Sequence, residues 1–204
     1  SPFSMQVAAY GVAVLMNTSL IRHGGDLAVG AYGIINTVLM MFLMIIMGLN
    51  QGTQPIIGYN YGAANYKRVR ETLLYALKIA TIITVAGALI GVIFPGVFAA
   101  AFTTDAELMS ITERGIRIAV SAMPVVGFQI VSSSFFQSIG FAAKSLIQSL
   151  SRQLIFLVPG IILLPRLWGL DGLWIAMPVS DTLAFILSIF LLTYQLRQLK
   201  RMEN

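Results

Sequence analysis

The 204 residues are 57% hydrophobic and only 10% charged, with a net charge of +5 and a mean hydropathy of +0.84. An ordinary soluble domain carries about 25% charge, so the composition points to an integral membrane protein and excludes a globular soluble enzyme. Cysteine is absent and His23 is the single histidine, which removes disulfides, thiolate metal sites and an unaided histidine metal cage.

At roughly 20 apolar residues per crossing, the length accommodates about six helices, short loops and no separate soluble domain. The opening "SPFSMQ" lacks an initiator Met and the basic n-region of a signal peptide, which predicts a piece of a longer chain. The first span runs from about Phe3 to Ile21 and closes at the turn "RHGGD". A second covers about Leu27 to Asn50 and can extend into the polar segment that follows.

That segment, "QGTQPIIGYNYGAANYKRVRE", has the ingredients of a bent, tightly packed helix end. Gly58 and Gly62 form a small-xxx-small pair that allows a neighbouring helix to approach, with Gly52 on the side of Pro55. Pro55 removes one backbone hydrogen bond and predicts a bend. Gln51, Gln54, Asn60 and Asn65 are available to satisfy freed carbonyls.

The third span is expected at Leu73 to Phe94, ending at Pro95, with Thr104 or Asp105 capping the next helix. Spans four, five and six follow at about Ile116 to Ser138, Leu154 to Leu164 and Leu173 to Leu196; Lys144 to Arg152 is read as a polar, basic connection that grades into the fifth span, which needs the preceding "SLIQSLSRQ" turns to reach full length. The runs are too long for membrane strands and lack period-two alternation, whereas helices satisfy their backbone internally in lipid. The expected fold class is therefore all-α, an integral membrane bundle of six transmembrane helices.

Orientation is read from Lys and Arg. Six spans put both ends on one side, which collects Lys67, Arg68, Arg70, Lys78, Lys144, Arg152, Arg197, Lys200 and Arg201. The other side holds Arg22, Arg114, Arg117 and Arg166. This predicts cytoplasmic termini, and attraction to anionic membrane lipid accounts for the basic balance without nucleic acid.

"RHGGDLAVGAYGIINTVLMMFLM", then "GLNQGTQPIIGYNYGAANYKRVRE", "GFQIVSSSFFQSIG" and "GLDGLWIAMPVSD" together resemble the multidrug and toxic compound extrusion (MATE) transporters over essentially the whole chain. In that family twelve helices form two six-helix lobes around a central cavity. The resemblance implies that residues 1–204 are the C-terminal lobe, helices seven to twelve, of a cell-membrane (inner or plasma membrane) antiporter. The missing partner is the N-terminal lobe of the same protein. Its implied activity is export of amphipathic or cationic compounds in exchange for H+ or Na+, with no cofactor. Sodium-coupled NorM-type members carry acids in helices seven and ten; spans one and four have none in their cores. The chain thus resembles the DinF/MepA-like branch, whose coupling carboxylate lies in the first helix, outside residues 1–204.

Candidate substrate-binding residues are Gln6, Asn36, Met40, Met44 and Asp181. Asp181 lies eight residues into the sixth span, about 12 Å along the helix, where an ionised carboxylate is costly and intramembrane acids are functional by default. Gln6 and Asn36, and more weakly Asn17 and Gln137, can hydrogen-bond a ligand or serve as packing glue. Met40, Met44 and Met47 share a helical face and Met41 neighbours Met44, giving either an adaptable wall or ordinary packing. Lys78 is placed to snorkel to headgroups, and Glu113 with Arg117 forms an i, i+4 pair.

Three other functions compete. A flippase for lipid-linked oligosaccharides would need several cavity charges, and the spans offer only Asp181 and Lys78. A membrane-embedded enzyme needs a paired acid, a His with a nucleophile or a metal cluster, which the spans lack. A non-transporting structural membrane protein remains as the third.

Overall fold

The computed structural model describes residues 2–203. Its helices are α1 (Pro2–Gly62), α2 (Tyr66–Ile93), α3 (Pro95–Ala100), α4 (Ala106–Val120), α5 (Met123–Ser138), α6 (Ala142–Leu150) and α7 (Val158–Glu203). A π-helical segment, Ser151–Leu157, joins α6 to α7. No strand occurs among the described residues.

Helix α1 has 61 residues and α6 to α7 form a stretch of 62, two to three times what a crossing of roughly 20 residues needs. Each is divided by a glycine elbow. In α1 the break is Gly25 (φ 65°, ψ −163°), inside the expected "RHGGD" turn, and in α7 it is Gly169 (φ 55°, ψ −133°) after Trp168. A side chain at such angles is strongly disfavoured. Limbs 2–24 and 26–62, α2, the α4–α5 pair, limb 142–167 and limb 170–203 make six apolar spans, as the sequence predicted.

The fourth span is not the continuous helix expected over Ile116 to Ser138. It consists of α4 and α5 bent by 53°, broken just ahead of Pro124, which has no N–H to continue the ladder. Asp105 caps α4 by accepting from the Leu108 N–H at 2.8 Å. The residues read as a basic connection, Lys144 to Arg152, are helical throughout α6 and into the π segment. Gly140 (φ 81°) ends α5, so the fifth span begins twelve residues earlier than Leu154.

Pro55 lies within the helix and does not end it. The one non-helical backbone position in α1 is Gly25, and the helix continues through Pro55 to Gly62. Gly58 does bring helices together, since a Cβ there would sit 3.3 Å from the Ser138 carbonyl, while Gly62 faces open space. Asn60 Nδ2 donates to the Ile56 carbonyl at 2.8 Å, and Asn65 caps α2 by accepting from the Arg68 N–H.

Two apolar cores stack along the bundle. One gathers Met16, Leu20, Ile35, Ile116, Met123, Leu173 and Trp174; the other gathers Ile46, Leu73, Val131, Phe135, Phe136, Leu192 and Leu199. Along α5 and α7 the sequence passes from the first core to the second through Gln129 and through Asp181 and Ser188, all buried. A polar layer therefore separates the two cores. Ion pairs tie the ends: Arg114 to Asp171 at 2.6 Å next to the Gly169 elbow, and Arg70 to Glu203 at 2.9 Å. The Glu203 carboxylate raises the Arg70 pKa, first by hydrogen bonding and then by charge. Glu113 and Arg117 lie 3.9 Å apart, the pair the sequence expected.

Replacing Gly25 or Gly169 by Ala should each cost about 1–3 kcal/mol and lower the melting temperature of the detergent-solubilised protein. Gly33→Ala, where an added Cβ meets nothing within 4 Å, should leave it unchanged.

Candidate functional site

The polar layer is organised around one ion pair. Arg152 Nε donates to Asp181 Oδ1 at 2.5 Å, with the Asp181 side chain 8% exposed and that of Arg152 37% exposed. Arg152 lies ten residues beyond the start of α6, about 15 Å along the helix, and belongs to the bundle interior, not to the basic loops among which its charge was counted. Without Arg152 the expected count becomes eight basic residues against four.

The π segment presents Arg152. Pro159 has no N–H for the Ile155 carbonyl, which breaks the i→i+4 pattern, and local π geometry is one way membrane helices satisfy backbone groups freed by proline. The Val158 N–H donates to the Gln153 carbonyl, five residues back. Across the pair, α5 holds α7 in register: Gln129 Nε2 donates to the Asp181 backbone carbonyl at 2.7 Å.

Arg152 stands between two cavities. The first, about 200 Å³, is an apolar chamber lined by Tyr32, Asn36, Met40, Met123, Met177 and Asp181, among others. The second, about 430 Å³, is polar and lined by Asn50, Gln129, Ser133, Gln137, Gln148 and Gln153 with Arg152 in its wall. A serine and glutamine network backs the polar chamber. Ser133 Oγ meets Ser145 Oγ at 2.7 Å, Gln137 Nε2 donates to Ser145 Oγ at 2.9 Å, and Gln148 Nε2 donates to Ser132 Oγ at 3.0 Å.

Of the residues singled out from sequence, the fold brings Asn36, Met40 and Asp181 into the same chamber. Gln6 is exposed near the start of α1 and lines neither cavity, and Met44 is 67% exposed and lines neither. The shared methionine face is split: Met40 faces the apolar chamber and Met47 the polar one. Gln137, weighted lightly, lines the polar chamber. Lys78 is exposed on α2.

Sequence reasoning missed Arg152, Gln129, Asn50, Gln148 and Gln153. The short apolar run "LIFLVPGIILLP" already required the fifth span to reach back through "SLIQSLSRQ", which carries Arg152 inside it, yet the arginine was counted with the loop charges. For a buried ion pair, removing one partner is far worse than replacing both. Arg152→Met should destabilise the protein by about 3 kcal/mol, the low end for buried pairs because Arg152 is partly exposed. The double replacement Arg152→Met with Asp181→Leu should recover most of that loss in a thermal unfolding series.

Comparison with known proteins agrees with this architecture. The MatE family profile matches residues 2–162. The multidrug export protein MepA of Staphylococcus haemolyticus (strain JCSC1435) is 24% identical over 197 residues, covering 96% of this chain and 43% of MepA. A multidrug resistance MATE family transporter of the MOP superfamily in an outward-facing conformation superposes with a TM-score of 0.89 at 25% identity, covering 97% of this chain and 45% of that one. An inward-facing structure so described gives 0.88 at 25% identity, covering 97% and 46%. The chain spans less than half the length of the proteins it matches. It is one lobe of the twelve-helix architecture, and it belongs to the MatE family of multi-pass membrane transporters.

Proposed function

We propose that residues 1–204 form the C-terminal lobe of a multidrug exporter in which the apolar chamber contributes one wall of the substrate path. The observation that carries this reading is the meeting of Asn36, Met40 and the Asp181–Arg152 pair around a single cavity of about 200 Å³. That volume lies below the range of roughly 300–1,000 Å³ of complete ligand sites, as a half-site shared with a second lobe would. Met40, Met123 and Met177 supply a deformable apolar surface suited to varied ligands. Asn36 offers one hydrogen-bonding group, and because Asp181 is paired with Arg152 in the same wall the chamber opposes neither a neutral nor a positively charged amphipathic guest.

Transport on this reading is antiport driven by inward H+ or Na+, with the coupling carboxylate in the first helix of the other lobe. The protein sits in the inner or plasma membrane with both ends of this segment cytoplasmic. Nearly equal superposition on an outward-facing and an inward-facing transporter supports a lobe that moves as a unit, as repeat-based transporters commonly do. A lipid-linked oligosaccharide flippase is the weaker reading. Arg152 is neutralised by Asp181, and Lys78 is on the exposed face of α2, leaving the chamber no free cation for phosphate.

The test is efflux of a fluorescent lipophilic cation from cells expressing the full-length parent. Asp181→Asn, at equal expression, should reduce efflux of the cation about tenfold, because it leaves the positive charge of Arg152 unbalanced in the chamber wall. Unchanged efflux would remove Asp181 from the substrate path. Failure of the parent to export any cationic or amphipathic dye would overturn the export reading.

A further inference from the structure

Four arginines lie at the elbow end of the bundle, and they divide into two kinds. Arg114 pairs with Asp171 and Arg117 with Glu113. Arg22 and Arg166 pair with no carboxylate among the described residues, and both line one cavity of about 480 Å³ between limb 2–24 and limb 142–167. Each stands three residues before its glycine elbow, Gly25 or Gly169, about 4.5 Å along the helix. That sets the two charges near the level at which their spans leave the hydrocarbon. His23 lines the cavity as well, with Nδ1 on the Ser19 carbonyl at 2.9 Å; a carbonyl only accepts, so the polar atom the ring has left is Nε2. No acid belongs to the lining, and Asp26, the nearest in sequence, lies past the Gly25 elbow.

We propose that this cavity is a binding site for the phosphate headgroup of an anionic phospholipid. Two guanidinium forks match phosphate oxygens in a bidentate way that an ammonium cannot, as in other basic pockets between transmembrane helices that hold anionic headgroups. The rest of the wall argues for a lipid over free phosphate. Leu15, Ile161 and Ile162 give the cavity an apolar side, which a phosphate ion would leave uncovered and an acyl chain would fill. Next to Arg22, Ile162 and Arg166 in the chain stand Ile21, Leu163 and Leu167, each more than half exposed, so the cavity adjoins surface suited to hydrocarbon. With no carboxylate in the lining, the ammonium of a zwitterionic headgroup finds no partner and meets two like charges. The inference goes beyond the export reading and does not depend on it, since the lipid contact is the same whatever the assembled protein carries.

The experiment uses the purified full-length protein in detergent with phosphatidylglycerol and phosphatidylcholine bearing the same photoactivatable acyl chain, and maps crosslinked peptides by mass spectrometry. Peptides covering residues 14–24 and 160–167, which hold the cavity lining, should take up phosphatidylglycerol at least about tenfold more than phosphatidylcholine at equal mole fraction, a bias that two basic contacts suffice to give. Arg22→Gln combined with Arg166→Gln should remove that preference. Labelling of the same peptides by phosphatidylcholine should stay at the parent's level, which reports that the apolar wall of the variant is intact. Arg117→Gln, whose arginine is already paired with Glu113, should keep the preference. Sodium phosphate in excess over lipid, compared with sodium chloride at equal ionic strength, should leave it in place. Equal labelling of the parent by the two lipids, or a preference that survives the double replacement, would overturn the proposal. Loss of the preference to phosphate but not to chloride would also overturn it, by showing a site for the free ion.

Discussion

A charge placed between two hydrophobic cores has to be answered from within the bundle, and the Arg152–Asp181 contact is that answer. Ionised groups in a dry interior cost several kcal/mol each unless paired and hydrogen-bonded. Once Asp181 occupies the middle of its span, the opposite helix must deliver a cation at that depth. The π segment brings one there, and Gln129 fixes the backbone that carries the carboxylate. The serines and glutamines beside the pair then have no apolar place to go, and they collect into one layer.

Around that layer the fold is built by glycine. Gly25 and Gly169 turn the chain between consecutive spans without a loop, so that two 60-residue helical stretches each fold back as a pair of limbs. Close approach does the rest: a Cβ on Gly172 would run into the Leu164 carbonyl across the elbow. The lateral surface remains apolar, with Tyr59, Val97, Leu167 and Phe190 each more than two-thirds exposed, as expected of a body whose solvent is lipid on one side and a second lobe on the other.

The fold was largely legible because hydropathy reports length, and the lipid core fixes the length a crossing needs. The "RHGGD" turn and the Asp105 cap rest on local chemistry that the sequence states directly, whereas Asn65, expected to satisfy freed carbonyls, instead caps α2 by accepting from the Arg68 N–H. The chamber was only half legible. Asp181 stood out as an acid in an apolar run, and Asn36 and Met40 line the same cavity with it. Arg152 was lost to the positive-inside rule, which reads any arginine near a polar stretch as a loop charge. Gln129, Gln148 and Asn50 gave no warning, because an amide announces its role only through the partner that long-range packing supplies. Gln6 and Met44, chosen on the same grounds as Asn36 and Met40, lie away from both cavities, because residue type and helical spacing do not say which face packing will enclose.

Two of the charge contacts, the inner Arg152–Asp181 pair and the outer Arg70–Glu203 pair, differ in how much chain separates their members. Arg152 and Asp181 are 29 residues apart, whereas Arg70 and Glu203 are 133 apart. At about 5–20 residues per second of synthesis, the inner contact becomes available within about 1.5–6 s of Arg152 being made. The outer one waits about 7–27 s for its glutamate. A nascent lobe thus has its interior charge quenched early, while the seam joining the start of α2 to the end of α7 stays unlatched until nearly the whole lobe has left the ribosome.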